Sequence, residues 1–266
     1  MKTARRYLFN PYKYTPPLMG NLVPGEEFHI RENGNEDVPY IVLQRDYPVK
    51  GKTLCIRKYA IPHKTTLNGQ EIATIPNDYY DFYAEEFTTP VTNEEYQNGD
   101  RSHMWCRFGG SSLRFFEKVD IPYFDAAANT VQTKTTMFTD ASLQEVYGIN
   151  PWDSEPQYAN SDLIYSQHSD YFDNLSTRVC YLDETEEVAV KRRLRDHSRS
   201  MTSYMQPQER PAYMYIDEDG MPRDDMTAED QLYQRPCIII DKEYDFDRWN
   251  KLTDGSKVET PDYLQP

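Results

Sequence analysis

The stretch Asp183-Glu184-Thr185-Glu186-Glu187-Val188-Ala189-Val190-Lys191-Arg192-Arg193-Leu194-Arg195-Asp196, running on to Pro207, decides how this chain is read. Asp183 is placed to accept hydrogen bonds from first-turn amides, and Glu186 stands three residues on, where a capping box needs its acid. Val190, Leu194, Met201, Tyr204 and Met205 then follow at helical spacing until Pro207 stops them. The pattern predicts one long helix over 184–204. Most remaining signals are β, so the expected fold is mainly β with a few helices: a sandwich- or barrel-like body carrying this helix.

The same stretch concentrates positive charge. Lys191, Arg192, Arg193, Arg195 and Arg199 are five of only 29 Lys and Arg residues in the chain. On a helix, Arg192, Arg195 and Arg199 share a face beside the apolar stripe. That face suits an acidic neighbour, such as the next copy of the chain, or nucleic acid. It equally suits plain solvation, with Glu187 and Lys191 as an i,i+4 pair.

Outward from the helix, the body expected over 28–240 reads as short strands. Phe28–Arg31 and Tyr40–Gln44 flank Asn33-Gly34, and Thr53–Ile61 follows Gly51. Asn68-Gly69, inside Thr65–Ile72, is the preferred pair for a two-residue hairpin turn. Ser102–Phe108, Leu113–Val119, Val131–Phe138, Tyr213–Ile216 and Cys237–Ile240 add strand candidates. Short helices are expected after Thr92, over Ala141–Tyr147 with Asp140 as cap and Gly148 as stop, and over Thr227–Gln234. Residues 149–175 carry Trp152, Tyr158, Tyr165, Tyr171 and Phe172 without a clean period and read as a long docking loop.

Both ends read as extended arms. Residues 1–27 contain Pro11, Pro16, Pro17 and Pro24, with Tyr7, Phe9, Tyr12 and Tyr14 as anchors. Residues 241–266 carry Tyr244, Phe246 and Trp249. Aromatic anchors on an extended strand lie across another surface, either a neighbour's or the chain's own.

Composition bounds the function. The mean hydropathy is −0.84. Hydrophobic residues make up 38% of the chain, below the roughly 45–50% of ordinary domains, yet aromatics reach 14%, too many for a disordered chain. Twenty-two tyrosines supply side chains that tolerate water when free and burial when docked. A net charge of −15 argues against a broad duplex-binding face, which needs cations for phosphates. It allows a wall past which DNA moves without being held.

Specific chemistry finds little footing. Cys55, Cys106, Cys180 and Cys237 are far apart, without a C-x-x-C pair, and read as free thiols packed in the core. Neither nucleotide-binding glycine motif occurs, and Gly109-Gly110-Ser111-Ser112 reads as a turn. The five histidines are isolated, and Asp217-Glu218-Asp219-Gly220 places its glycine too early for a calcium loop. Ser166, His168 and Asp170 lie near one another in a polar loop, which does not make a triad. No catalytic, cofactor or metal residue is therefore expected. No apolar run approaches the length of a membrane span, and Met1-Lys2-Thr3-Ala4-Arg5-Arg6 lacks the apolar run of a signal peptide.

An acidic, Tyr/Asn/Pro-rich, β-leaning body with aromatic arms resembles the virion structural proteins of tailed bacteriophages, of the neck (head-to-tail adaptor) or short-tail tube type. The resemblance is one of composition and layout over the whole chain. It implies a non-enzymatic, ring-forming homo-oligomer assembled in the host cytoplasm and resident in the virion. Such a ring contacts neighbouring virion proteins, lets DNA pass without specific binding, and needs neither cofactor nor membrane. Its contacts would fall on Tyr7, Phe9, Tyr12, Tyr14, Trp152, Arg192, Arg195, Arg199, Tyr244, Phe246 and Trp249. The alternatives are a capsid-associated or decoration protein, a cytoplasmic acidic inhibitor that mimics DNA, and an enzyme with a cryptic site.

Overall fold

A computed structural model describes residues 18–32, 36–62, 64–67, 70–73, 118–125, 128–136, 138–148, 164–198, 213–224 and 232–244. Tyr7, Phe9, Tyr12, Tyr14, Trp152, Arg199, Phe246 and Trp249 lie outside them. So do Cys106, the helix expected after Thr92, the strand Ser102–Phe108, the Gly109–Ser112 turn, most of Leu113–Val119 and most of the helix expected over Thr227–Gln234.

The described chain is mainly β with few helices. Its strands are β1 (Glu27–Glu32), β2 (Glu36–Arg45), β3 (Lys52–Arg57), β4 (Lys64–Leu67), β5 (Gln70–Ala73), β6 (Val119–Asp125), β7 (Thr130–Thr136) and β8 (Phe138–Thr139). They continue with β9 (Cys180–Tyr181), β10 (Ala189–Val190), β11 (Arg192–His197), β12 (Tyr213–Ile216), β13 (Pro222–Arg223) and β14 (Cys237–Asp241). Two short helices are described, α1 (Leu143–Tyr147) and α2 (Leu175–Arg178).

One sheet of five strands runs β1-β2-β3-β14-β8 and is antiparallel throughout. A second runs β13-β12-β11-β6-β7, antiparallel except where β11 meets β6. Strands β4 and β5 pair antiparallel as the expected hairpin, with Leu67 opposite Gln70.

Strand alternation explains the core. In β2, Tyr40 and Val42 point to one side of the first sheet and Ile41 and Leu43 to the other, and all four are buried. One cluster joins Phe28, Ile30, Tyr40, Val42, Ile238 and Ile240 to Met19 and Tyr244. The other joins Ile41, Leu43, Leu54, Ile56 and Ile239 to Ile121, Leu194, Met214 and Ile216 of the second sheet, and to Leu143 and Val146 of α1. The first sheet is therefore covered on both faces, which a β-branched run such as Ile238-Ile239-Ile240 requires.

The helix expected over 184–204 is not formed in its described part, which is strand at β10 and β11. Asp183 does not cap a helix; its carboxylate accepts from the amide and hydroxyl of Thr185, closing a turn. Glu186 has φ 54°, a conformation no helix accommodates. β-Branched Val188 and Val190 favour the extended chain that follows. As strand, the segment sends alternate residues to opposite sides and buries its cations: Arg192 is 0% and Arg195 1% exposed. Neither forms the solvent-facing helix stripe expected of them.

The body also reaches further toward both ends than expected. Met19 is fully buried, and its amide donates to the carbonyl of Tyr244 at 2.8 Å. The Gly20 amide donates to Lys242 at 2.7 Å. Residues 18–20 thus lie beside residues 242–244 in the described body.

Candidate functional site

The residues with most chemistry meet around β11, α1 and the segment 164–169. Helix α1 begins with a capping box. Ser142 Oγ accepts from the Glu145 amide at 3.0 Å, and Glu145 Oε2 accepts from the Ser142 amide at 2.9 Å. The expected cap, Asp140, lies two residues before and serves elsewhere, while Gly148 ends the helix as expected.

Arg195 fills the space behind Glu145. Its Nη1 donates to Oε2 at 2.8 Å and its Nη2 to Oε1 at 2.5 Å, a bidentate pair with both side chains buried. The other donors are also used. Nε reaches the Pro122 carbonyl, Nη1 the Asp140 carbonyl, and Nη2 Ser166 Oγ. Burial alone would lower the Arg195 pKa, but the Glu145 carboxylate reverses this and holds it well above the ordinary value. Tyr47 and Ser166 hydroxyls lie 2.7 Å apart, and both reach Glu145 Oε1. Burial, with Glu145 adding its charge, pushes the Tyr47 phenol above its usual range.

Two further acids flank this pair. Asp196 accepts from the amides of Phe124 at 2.8 Å and Leu143 at 2.5 Å, tying β6 and the first residue of α1 to β11. Burial raises its pKa against the pull of Arg195 and those amides. Asp140 accepts from Arg193 Nε at 3.0 Å, and its Oδ1 has no hydrogen-bond partner. Burial pushes Asp140 up to about 6, although Arg193, Arg192 and Arg195 all draw it down.

The segment before the 3-10 turn at Asp170–Asp173 is laced onto this assembly. Gln144 Oε1 accepts from the amides of Tyr165 and Ser166, Gln44 Nε2 donates to the carbonyls of Gln167 and His168, and Ser169 Oγ donates to Leu43. The described end of the expected docking loop is therefore part of the body, with Phe172 fully buried. Ser166, His168 and Asp170 do not converge: Ser166 serves Glu145, while His168 contacts Asp173 and the Glu145 carbonyl.

Arg192 lies on the other side of β11, with its Cζ 5.1 Å from the Phe172 ring centre. Its Nε donates to the Arg178 carbonyl at 3.3 Å. Tyr244 is fully buried in the core, an anchor for its own body. Asp217 closes the turn between β12 and β13 through the amides of Asp219 and Met221 and pairs with Arg223. Among the described residues, no group of three or more His, Cys, Asp or Glu could hold a metal. No described helix is long and apolar enough to cross a membrane.

Glu145, Asp196 and Tyr47 carry this chemistry without having been singled out from sequence, and Asp140 was read only as a helix cap. Only Glu145 had a local signal, the Ser142-x-x-Glu145 spacing of the capping box. Chemically, the arrangement orders backbone: it fixes a loop, a helix start and three strands through charged groups. The thiols of Cys55, Cys180 and Cys237 are pushed up by burial, which keeps them protonated and poorly nucleophilic. Comparison of the chain with protein families, with curated proteins and with solved structures finds no match.

Proposed function

We propose that this chain is a non-enzymatic structural subunit of a viral particle, a ring-forming neck or tail component of a tailed bacteriophage that borders the DNA passage. The observation that carries the proposal is the hydrogen bond from the Met19 amide to the Tyr244 carbonyl, which brings together the first and last described segments of the body. Residues 1–17 and 245–266, with their aromatic anchors, start from one place on the body and can engage one neighbour together. The sandwich- or barrel-like body supplies a rigid mount, and the net charge of −15 suits a wall that DNA slides past.

With Arg192 and Arg195 buried, charge reversal there would test folding: at Arg195 it would set two acids against each other beside Glu145, and at Arg192 it would change a fully buried charge beside Arg235. The assembly test belongs on the arms. Sedimentation and electron microscopy of the full chain should show a closed ring of many copies. The chain lacking residues 1–17 should stay folded and monomeric. A full-length monomer that captures a basic host enzyme would overturn the proposal in favour of a DNA mimic. Recovery on the outer capsid surface would replace it with a decoration protein.

A further inference from the structure

On the Arg192 side of β11, buried cations gather without the acids that neutralise Arg195 and Arg193. Arg235, 2% exposed, donates from Nε to the Arg57 carbonyl at 2.9 Å, from Nη1 to Thr177 at 3.3 Å and from Nη2 to the Tyr171 hydroxyl at 3.3 Å. Arg192 donates from Nε to Arg178, the residue next to Thr177. Two guanidinium groups therefore share the C-terminal end of α2. Arg57 adds a third charge, and all three bear on the Cys180 thiol.

Arg192 is the anomaly. It is 0% exposed, and both Nη1 and Nη2 have no hydrogen-bond partner. A buried charged donor left unsatisfied is among the costliest arrangements a core can hold. Its repulsion by Arg235 follows directly: burial, then Arg235, brings the Arg192 pKa down to about 10. Asp140 feels the Arg192 charge, but its Oδ2 is committed to Arg193 and its Oδ1 makes no hydrogen bond to Arg192. With Nε taken, the free edge of Arg192 is its Nη1/Nη2 fork, which matches two oxygens of one anion.

We propose that Arg192 heads a buried binding site for a small tetrahedral oxyanion, phosphate or sulfate, which it grips through Nη1 and Nη2 while Arg235 and Arg57 supply further charge. The element that lies against Arg192 is α2, a single turn whose first residues, Leu175 and Ser176, are exposed and whose last carbonyl receives Arg192 Nε. One turn held by few buried contacts opens more readily than the sheets behind it.

The test uses the full chain, dialysed free of phosphate and sulfate, with thermal melts in sodium phosphate, sulfate, acetate or chloride at matched ionic strength. Phosphate or sulfate should raise Tm over chloride, and beyond half-saturation Tm should keep climbing by about 2–4 °C for each roughly fivefold increase in the anion. A response to acetate instead would mean that a carboxylate is the ligand and would overturn the tetrahedral assignment. Arg192→Met keeps the side-chain length without the charge; it should melt no lower than wild type in the anion-poor buffer and lose the phosphate response. Arg192→Lys, which keeps charge but loses the fork, should lose most of it. An equal phosphate shift in either variant places the anion elsewhere. If both variants fail to fold, calorimetric titration of the wild-type chain with phosphate decides, and the absence of saturable heat overturns the site.

Discussion

Asp140 sits against Arg193 and still holds its proton more tightly than a free carboxyl, because burial outweighs the guanidinium beside it. Its pKa is about 6 in the folded chain and about 4 in the unfolded one. Between those values the folded state keeps a proton that the unfolded state has released. Stability therefore falls as pH rises across the window, and the cost is complete above about 6. Asp140→Asn removes that titration. Urea denaturation of both proteins at pH 4.5 and 7.5 should show wild type losing about 2 kcal/mol of its lead over the variant at the higher pH. A gap that does not change with pH would mean that Asp140 is ionised throughout. Arg193 loses the Asp140 carboxylate at both pH values, so that loss cancels in the comparison.

At the scale of elements, α1 shows how a five-residue helix persists. Such a helix is far too short to form alone, so its two ends and its buried face must hold it. The start is the Ser142–Glu145 capping box, and the end is Gly148 at φ 78°, whose amide donates to Gln144. A Cβ there would meet His168 Cγ at 3.2 Å. Gly148→Ala should cost about 1–3 kcal/mol by urea denaturation. Gly51→Ala, at φ 87° with nothing within 4 Å of the added carbon, should cost less. Equal losses would show that backbone conformation alone, without the His168 contact, sets the effect.

What could be read from sequence divides along the same line. Strands β2, β3, β12 and β14 and the Asn68-Gly69 hairpin were legible because their signals are local: β-branched runs, period-two patterns and a turn pair. The segment 184–198 was not. Val190 and Leu194 fit a helix by spacing, and nothing nearby reveals that Asp140 and Glu145, some 50 residues upstream, wait to pair with Arg193 and Arg195. Long-range charge pairing makes a basic strand buriable, and a local pattern carries no trace of it. The charged cluster around β11 was invisible for the same reason, apart from the capping-box spacing at Glu145.

At the scale of the whole molecule, the contact between Met19 and Tyr244 joins the first and last described segments of the body. Met19 packs in the core with Cys55 Sγ 3.9 Å from its Sδ, while Leu18 is only half-buried. Removing residues 1–17 should leave urea stability within about 0.5 kcal/mol of the full chain, the usual range for changes away from the core. Removing residues 1–20 also takes away Met19, and should cost about 2–5 kcal/mol, as core truncations do. Similar stability for both deletions would mean that Met19 does not support the body.

The place of β14 has a further consequence. The last described strand is not at an edge but in the middle of its sheet, between β3 and β8. While the ribosome is still making the chain, β3 and β8 therefore wait with open edges, and the first sheet has a gap that only residues 237–241 can fill. The body cannot close vectorially from its N-terminus, as many domains do. It closes only once residues 237–244 have been made, when β14 enters and the Tyr244 carbonyl receives the Met19 amide. A chain built in this way shows an unpaired β3 edge until residues 237–241 have been made, so the first sheet is exposed to wrong strand pairing for most of the synthesis of the described body.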